Sequence, residues 1–294
     1  MPGDFKNTFN ISVIIVTWNS EDDIADCIES VWMQNLNVEI ICVDNNSFDN
    51  TKEIIRRLKE KYENISLIEN KENFGYTFAS NQGINLSKGK YIFFLNPDTT
   101  LTDGAMSVLY GTFDKNEKAS VPMILNEDGS LQLSVRNLPT YTDVFFEIFL
   151  LSKIFPKSRY FARWKNKYFN YNISQYAEQP MAAAFLIERN TLNELKNFDD
   201  RYYMFFNDVD LCKKLHDKNY KIKYLPEAKI KHKKGASIYK KRKKMIEVWN
   251  EDCLKYFEKY YGKNLKWYIL FILLKITGFI RMLFVENKLL SKIL

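Results

Sequence analysis

Three short polar segments hold the side chains best suited to binding a ligand, and each follows an apolar run. They are Thr17–Asn19, Asp44–Ser47 and Asn96–Asp98. A carboxylate such as that of Asp44 can accept hydrogen bonds from the N–H of a nucleotide base or from a ribose hydroxyl. Asn, Asp and Ser are also ordinary turn residues, so Asp44 could simply cap a turn. Three such segments on one edge of one sheet would form a nucleotide site.

The apolar runs that precede these segments predict the sheet that positions them. Predicted strands cover 11–16, 39–43, 65–68 and 91–95, and predicted helices cover 21–34, 50–62 and 74–86. Alternating strands and helices with short connections are typical of a doubly wound α/β fold with a mostly parallel central sheet flanked by helices. Ligands of such sheets bind beyond the carboxyl ends of the strands. Later in the chain we predict strands at 119–124 and 181–187 and a helix at 207–218.

The composition predicts a packed globular protein. Of 294 residues, 46% are hydrophobic and 15% aromatic, which excludes a disordered chain. The four cysteines, Cys27, Cys42, Cys212 and Cys253, form no CxxC pair, which argues against zinc and thioredoxin-type sites and suggests a reducing compartment. The first ten residues lack the apolar stretch of a signal peptide. We therefore expect a cytoplasmic protein.

Two C-terminal features point to an anionic partner. The net charge of +7 is concentrated between Lys229 and Lys244, which suggests phosphate, anionic lipid or nucleic acid, or simply a solvated helix face. No nucleic-acid motif accompanies this run, so we expect lipid or a diphosphate and no nucleic acid. Residues 267–285 are apolar but include Lys275 and Arg281, which make a membrane-spanning helix costly. We expect a peripheral membrane contact, with docking on the protein's own core as the alternative.

The order of the motifs gives a resemblance. The segments VTWN, VDNNSFDNT, NFGYTFASNQG, GKYIFFLNPDTTL and FFNDVDLC are followed by a late histidine. This order resembles the family 2 glycosyltransferases of the GT-A fold, and it is most similar to their rhamnosyltransferase branch. The resemblance covers roughly residues 11–235 and leaves a C-terminal helical extension.

The resemblance implies a donor site and a metal site. The implied nucleotide-binding residues are Thr17, Asn19, Asp44, Gly75, Asn81 and Asn96. Gly75 could equally serve only the turn into a helix. Asp98 and His232 match the positions of the family's metal ligands for Mg²⁺ or Mn²⁺, although Asn96 stands where the family has another carboxylate, and a lone histidine is often structural.

The resemblance also implies the catalytic base. Asp208 matches the family's base, although Asn207 replaces the glutamate that usually precedes it. A helix N-terminus stabilises a carboxylate anion and so weakens a base, whereas burial would offset this. Asp208 could also be only a helix cap. Asp210 belongs to the same motif, where a structural role is the alternative to one at the acceptor, and Arg136 matches a residue facing the acceptor or the diphosphate.

These implications lead to a specific functional hypothesis. We expect residues 1–118 to bind the nucleotide sugar, 119–240 to bind the acceptor and carry catalysis, and 241–294 to form a helical, membrane-associated extension. The expected reaction is inverting transfer of L-rhamnose from dTDP-rhamnose to a hydroxyl of a cell-surface glycan or lipid-linked acceptor, at the inner face of the plasma membrane. The alternatives are a UDP-sugar donor and a catalytically inactive module that only binds sugar nucleotides.

Overall fold

A single large sheet organises the molecule. The computed structural model describes residues 10–233 and 242–284. Nine strands form this sheet, and two further strands form a separate two-stranded sheet. The predicted α/β architecture with a central sheet flanked by helices is confirmed.

The first part of the chain alternates strands and helices as predicted. Its elements are β1 (Ile11–Thr17), α1 (Ile24–Trp32), β2 (Val38–Asp44), α2 (Thr51–Lys61), β3 (Ile65–Glu69), α3 (Tyr76–Leu86), β4 (Tyr91–Leu95), β5 (Thr99–Leu101) and α4 (Ala105–Tyr110). β1 pairs in parallel with β2 and β4, and β2 with β3. β2 and β4 are buried along their whole length, which explains their continuous apolar runs.

The second part of the chain makes the sheet mixed. Its elements are β6 (Glu117–Leu125), β7 (Val135–Arg136), α5 (Tyr141–Ile148), α6 (Leu151–Ile154), β8 (Gln175–Ala177), β9 (Gln179–Pro180), β10 (Ala184–Glu188), α7 (Arg189–Glu194), α8 (Asn207–Asp217) and β11 (Lys221–His232). The strand order of the large sheet is β3-β2-β1-β4-β10-β6-β11-β5, with β8 paired to β11, and β7 and β9 form the small sheet. β10 runs antiparallel to both β4 and β6. One continuous sheet therefore joins the first and second parts of the chain.

Two long helices complete the described chain: α9 (Arg242–Tyr261) and α10 (Leu265–Phe284). α9 buries Cys253, Tyr256 and Phe257 in the same core cluster as α8 and the end of β10. Trp267, Leu270 and Leu274 of α10 are buried in that cluster too. The sequence alternative of docking on the protein's own core thus describes one face of α10. Among the described residues, no helix combines the length and the apolarity needed to cross a membrane.

The remaining sequence expectations concern cysteines and lysines. All four cysteines are buried and unpaired, and burial raises the pKa of the Cys27 thiol to about 12. In the lysine-rich run, Lys229 and Lys231 are exposed on β11, whereas residues 234–241 lie outside the described residues.

Candidate active site

The carboxyl ends of β1 and β2 lie at the edge of the sheet where the sequence predicts the donor site, and we term this edge the donor edge. Thr17 and Asp44 are paired in the parallel register, and the Thr17 hydroxyl donates to Asp44 Oδ2 at 3.0 Å. The Ser47 amide donates to Asp44 Oδ1 at 2.8 Å. Asp44 is fully buried, so its carboxylate fixes the turn that follows β2. A direct contact of Asp44 with a nucleoside stays a prediction.

Asn19 stabilises the same edge from the β1 side. Its backbone takes the left-handed conformation, with φ of 52°. Its amide donates to the Ser47 hydroxyl at 2.8 Å, and its side-chain oxygen accepts from the Phe48 amide at 2.8 Å. These bonds hold the loops after β1 and β2 against each other and leave the ring of Phe48 exposed above them. The donor edge is thus shaped by residues that are neighbours across one strand pair.

Gly75 joins the donor side to the loop before α8. It adopts φ of 91° at the start of α3, and a Cβ there would lie 2.4 Å from the carbonyl oxygen of Tyr203. The Tyr203 hydroxyl donates to both the carbonyl and the side-chain oxygen of Asn73 at 3.0 Å. The close backbone approach expected at Gly75 is therefore made by Tyr203 of the same chain. Contact with the donor stays a prediction.

Asn81 makes a second link of this kind. Its side-chain nitrogen donates to the Phe198 carbonyl at 3.0 Å and to the Asp200 carboxylate at 2.6 Å. Its oxygen accepts from the Phe198 amide at 3.3 Å. Both ends of the Asn81 amide thus hold the segment that leads towards α8.

Asp98 and His232 come together at the carboxyl end of β4, as the sequence suggested. The nearest approach of the two side chains is 3.4 Å, between Asp98 Oδ1 and His232 Nε2. The Asn96 side-chain nitrogen lies 3.4 Å from the same imidazole nitrogen. β11 pairs antiparallel with β5, with His232 opposite Thr99, and this register places the ring beside Asp98.

Gln132 orients the imidazole of His232. His232 Nδ1 lies 2.8 Å from Gln132 Oε1, and the Gln132 nitrogen donates to Asn126 Oδ1 at 2.9 Å. Since the glutamine oxygen can only accept, Nδ1 carries a hydrogen towards Gln132, and Nε2 is the ring nitrogen that faces Asp98. A hydrogen bond of this kind is the usual support of a metal-binding histidine.

A divalent cation fits this pair only in part. One carboxylate and one imidazole suit Mn²⁺ or Mg²⁺, but neither 10–233 nor 242–284 contains a group of three or more His, Cys, Asp or Glu that could hold a metal. A cation at Asp98 and His232 would need further oxygen ligands, and the diphosphate of a nucleotide donor supplies them.

Asp208 lies in the first turn of α8, half-buried. Its Oδ1 accepts from the Val209 amide at 2.8 Å, and Gln179 donates to its Oδ2 at 3.4 Å. Burial raises the pKa of the Asp208 carboxyl above its ordinary value, although the Val209 amide, Arg136 and the Ala182 amide each lower it. Desolvation therefore outweighs the hydrogen bonds at the helix N-terminus, and a carboxylate with a raised pKa is a stronger base.

Neither Asn207 nor Asp208 is the helix cap that the sequence allowed. The residue before α8 is Phe206, which takes φ of 58° and makes no side-chain cap. Asn207 instead donates from its side chain to the Thr77 hydroxyl at 3.2 Å and to the Met204 carbonyl at 3.1 Å. A glutamate at this position could donate neither hydrogen bond, so the local packing depends on the amide of Asn207.

Two adjacent alanines connect Asp208 to the Asp98–His232 pair. The Ala182 amide interacts with the Asp208 carboxylate, and the Ala183 carbonyl accepts from the Asn96 amide at 2.9 Å. The candidate base and the candidate metal ligands therefore flank one short backbone segment at the end of β4.

Arg136 lies near Asp208, and its contact with the acceptor or the diphosphate stays a prediction. β7 pairs with β9 so that Arg136 is opposite Gln179, which itself bonds Asp208. The Arg136 guanidinium lies 5.7 Å from the ring centroid of Trp164. Its side chain is exposed and is thus available to an anionic group.

Asp210 has a structural environment. It is almost fully buried, and it accepts from Lys259 at 2.5 Å and from the Tyr260 hydroxyl at 2.8 Å, both on α9. Lys214 lies 3.0 Å from its other oxygen. These contacts attach the catalytic helix α8 to α9.

Asp252 of α9 holds the loop that leads to Asp208. Its buried carboxylate accepts from the backbone amides of Tyr203, Met204 and Phe205, at 3.0 to 3.2 Å. The sequence analysis missed this residue. A signal was present, because Asp252 is spaced by four from Val248 and Tyr256, which places an acid within an apolar helix face. Gln132 and Gln179 were missed as well, and no motif marks them.

Comparisons with known proteins concern the family and the fold of the chain. The family model described as Glycosyl transferase family 2 matches residues 12–176, which is more than half of the chain. The poly(ribitol-phosphate) beta-glucosyltransferase of Bacillus spizizenii is 36% identical over 117 residues, covering 38% of this chain and 18% of that protein. The chain therefore spans less than a fifth of that relative's length.

A second relative matches over a longer stretch. The N-acetylglucosaminyl-diphospho-decaprenol L-rhamnosyltransferase of Mycobacterium tuberculosis is 25% identical over 217 residues, which cover 68% of each chain. Among solved structures, GalNAc-T7 with UDP, GalNAc and Mn²⁺ superposes with a TM-score of 0.58 at 14% identity, covering 92% of this chain and 55% of that one. At this identity the likeness concerns the fold.

Proposed function

The chain belongs to glycosyl transferase family 2, and from that premise we propose that it transfers a sugar from a nucleotide diphosphate donor to a hydroxyl of a cell-surface glycan or lipid-linked acceptor. The observation that carries this proposal is the position of Asp208. A half-buried carboxylate with a raised pKa lies one short backbone segment away from Asp98 and His232. Such an arrangement suits proton removal on one side and diphosphate departure on the other.

We propose that Asp208 is the general base of a single, inverting displacement. The acceptor hydroxyl loses its proton to Asp208 while its oxygen forms a bond to the anomeric carbon of the sugar. The bond from that carbon to the diphosphate oxygen breaks, and its electron pair leaves with the nucleoside diphosphate. The raised pKa of Asp208 favours proton acceptance near neutral pH. Arg136 is placed to neutralise an anionic group on the acceptor or on the diphosphate.

We propose that Asp98 and His232 hold a divalent cation together with the donor diphosphate. When bound, such a cation supplies Lewis-acid stabilisation to the departing diphosphate. Gln132 supports this assignment because its bond to Nδ1 holds the His232 ring with Nε2 facing Asp98. The neighbouring fold of GalNAc-T7, solved with Mn²⁺, supports it further.

For the donor, we propose dTDP-L-rhamnose, and a UDP-sugar as the second candidate. The match to a rhamnosyltransferase over two thirds of both chains supports the first. The UDP in the GalNAc-T7 structure supports the second. A lipid-linked acceptor would place the reaction at the inner face of the plasma membrane, and Thr17, Asn19, Asp44 and Asn96 are the proposed contacts of the nucleotide.

The proposal is tested by nucleoside diphosphate release from a panel of sugar nucleotides, with dTDP-rhamnose and UDP-glucose first. We expect Asp208→Asn to lower kcat by about 10²- to 10⁴-fold because it removes the base, while donor binding measured by calorimetry is retained. Since the folded state raises the pKa of Asp208, an ionised carboxylate is unfavourable there at neutral pH, so the same variant should also raise Tm.

Three outcomes would contradict parts of this proposal. Full turnover by Asp208→Asn would remove the base assignment. Donor binding without turnover by the wild-type protein, across the panel and with acceptors present, would favour the inactive binding module. Turnover that survives exhaustive chelation would exclude a cation at Asp98 and His232.

A further inference from the structure

The outward face of α10 is apolar, and no other part of the described chain covers it. Side chains spaced by three or four residues share one face of a helix. On α10 this outer face consists of Leu265, Ile269, Ile272, Ile276, Phe279 and Leu283, whose side chains are between 43% and 76% exposed. A contiguous exposed apolar surface of this kind marks an interaction site in a water-soluble fold.

A second exposed apolar group lies beside α10. α10 packs on α5, and α5 packs on α6. The segment from α6 onwards exposes Ile154, Phe155 and Tyr160, which are 62%, 48% and 66% exposed. The side chain of Lys153 on α6 is close enough to Arg281 of α10 for the two charges to interact: burial first, and then Lys165 and Arg281, lower the pKa of Lys153. Two segments distant in sequence thus form one surface.

The charge around this surface is mainly positive. Residues 148–177 contain six lysines and arginines and no aspartate or glutamate, although Arg163 and Lys165 pair with Asp143 and Glu147 of α5. Residues 265–284 add three cations and no acid: Lys266, Lys275 and Arg281. Apolar side chains ringed by cations are complementary to anionic phospholipids, whose acyl region takes the apolar groups and whose headgroups pair with the cations. A second copy of the same chain would bring cations against cations, which disfavours self-association.

The other side of α10 excludes a spanning helix. Trp267, Leu270 and Leu274 are buried against α9 and α5, and the Arg281 guanidinium lies 6.0 Å from the ring centroid of Trp249 on α9. A helix that inserted across the bilayer would lose these contacts. The geometry requires α10 to stay on the protein and to lie parallel to a surface.

We propose that the outer face of α10, together with the exposed apolar side chains after α6, docks the protein on an anionic phospholipid surface. This deepens the proposed function and rests on it for the acceptor, since a chain of ring contacts leads from the surface to the site. Arg281 contacts Trp249, Trp249 lies 6.5 Å from Trp164, and Trp164 contacts Arg136 beside Asp208. Docking would bring the acceptor side of the site towards the membrane.

Flotation of the full chain with vesicles tests the proposal. We use phosphatidylcholine vesicles with and without phosphatidylglycerol, and compare the wild type, the double variant Ile276→Glu/Phe279→Glu, Lys275→Gln, and a matched control, Met33→Glu. Met33 is 71% exposed and lies at the end of α1, on the donor side. Circular dichroism and thermal unfolding verify that each variant folds, which we expect because all four side chains are exposed.

We expect the wild type and Met33→Glu to float with the anionic vesicles and only weakly with phosphatidylcholine alone. The double variant should lower the partition coefficient by at least about tenfold, and Lys275→Gln by about fivefold. Absence of wild-type flotation, or equal flotation of the double variant, would overturn the proposal. So would a concentration-dependent dimer in sedimentation that the double variant abolishes, because the face would then belong to a second copy.

The assay also separates this inference from the proposed function. Hydrolysis of a soluble nucleotide sugar by the double variant at the wild-type rate, together with lost flotation, would support docking independently of catalysis. Flotation without turnover by the wild type would keep the docking surface and reject the glycosyltransferase mechanism.

Discussion

The donor edge and the catalytic groups are held in place in different ways. At the donor edge, Thr17, Asp44 and Ser47 bond one another across a single parallel strand pair. Asp208 and His232, in contrast, depend on partners far away in the sequence. Asp252 holds the loop before Asp208 from more than forty residues later in the chain, and Gln132 orients His232 across a hundred residues.

This difference makes the two regions unequally sensitive to substitution. Bonds between adjacent strand ends form with the sheet itself, so the donor edge is as stable as the sheet. The position of Asp208 is set by the packing of α9 on α8, which is a tertiary contact that a single substitution can disturb. Substitutions in the long-range partners should therefore change catalysis more than donor binding.

Among substitutions of residues that position the site, the largest expected effect is that of Asp252→Ala. Three backbone amides lose their acceptor, which costs about 1–3 kcal/mol for each buried group left unpaired. The loop before Asp208 would shift, and displacement of a catalytic group by about 1 Å lowers kcat by roughly 100-fold. Steady-state kinetics should show the fall in kcat with little change in the donor KM.

Lys255→Gln is the control for this variant, because Lys255 pairs with Asp252 from an exposed position and leaves its three backbone bonds in place. If Asp252→Ala raised the donor KM and left kcat unchanged, the proposed role of α9 in positioning Asp208 would be wrong.

Gln132→Leu should have the next largest effect. Without the glutamine oxygen, the imidazole of His232 loses the partner that fixes its orientation, and loss of such a partner weakens metal binding by about 10- to 100-fold. Calorimetric titration with Mn²⁺ in the presence of a nucleoside diphosphate measures this directly. Gln132→Glu keeps an acceptor oxygen and should retain the affinity. Equal Mn²⁺ affinity of wild type and Gln132→Leu would remove the metal assignment.

Gly75→Ala tests the contact between the donor side and the loop before Asp208, with Gly129→Ala as the control variant. Both glycines have positive φ, 91° and 82°, but an added Cβ meets Tyr203 only at Gly75 and has open space at Gly129. Backbone strain alone should cost each variant about 1–2 kcal/mol. Chemical denaturation should show a larger loss for Gly75→Ala, and only this variant should lower kcat. Identical losses of unfolding free energy would mean that the contact with Tyr203 does not contribute to stability.

The smallest effect is a shift in the pH profile of Arg136→Ala. Arg136 lowers the pKa of Asp208, so its removal should raise that pKa further. Because the base acts only when ionised, the acid limb of kcat/KM should move to higher pH. Arg56→Ala, an exposed arginine paired with Glu69 far from Asp208, should leave the limb unchanged. A shift to lower pH would contradict Asp208 as the titrating group.

The difference between local and long-range contacts also explains what could be predicted from the sequence. β1, β2, β3 and β4 were predicted within one residue at each end, because these parallel strands are short apolar runs, which in β2 and β4 are buried throughout. Asp98 was marked by its motif and His232 by its matching position in the family order, and the structure brings the two side chains together. Asp252, Gln132 and Gln179 were not, since their roles arise from tertiary packing between distant segments. The prediction for α10 rested on the two charges within it, whereas in the structure one face of the helix is buried and the opposite face is exposed.

The dependence of the loop before Asp208 on Asp252 also has a consequence for synthesis. Chains fold from the N-terminus as they leave the ribosome, so the donor edge can form early. The loop of Tyr203, Met204 and Phe205 has no carboxylate to bind until α9 has emerged. A nascent chain could thus hold a nucleotide before it is able to transfer the sugar, and catalytic competence would arrive only with the last helices.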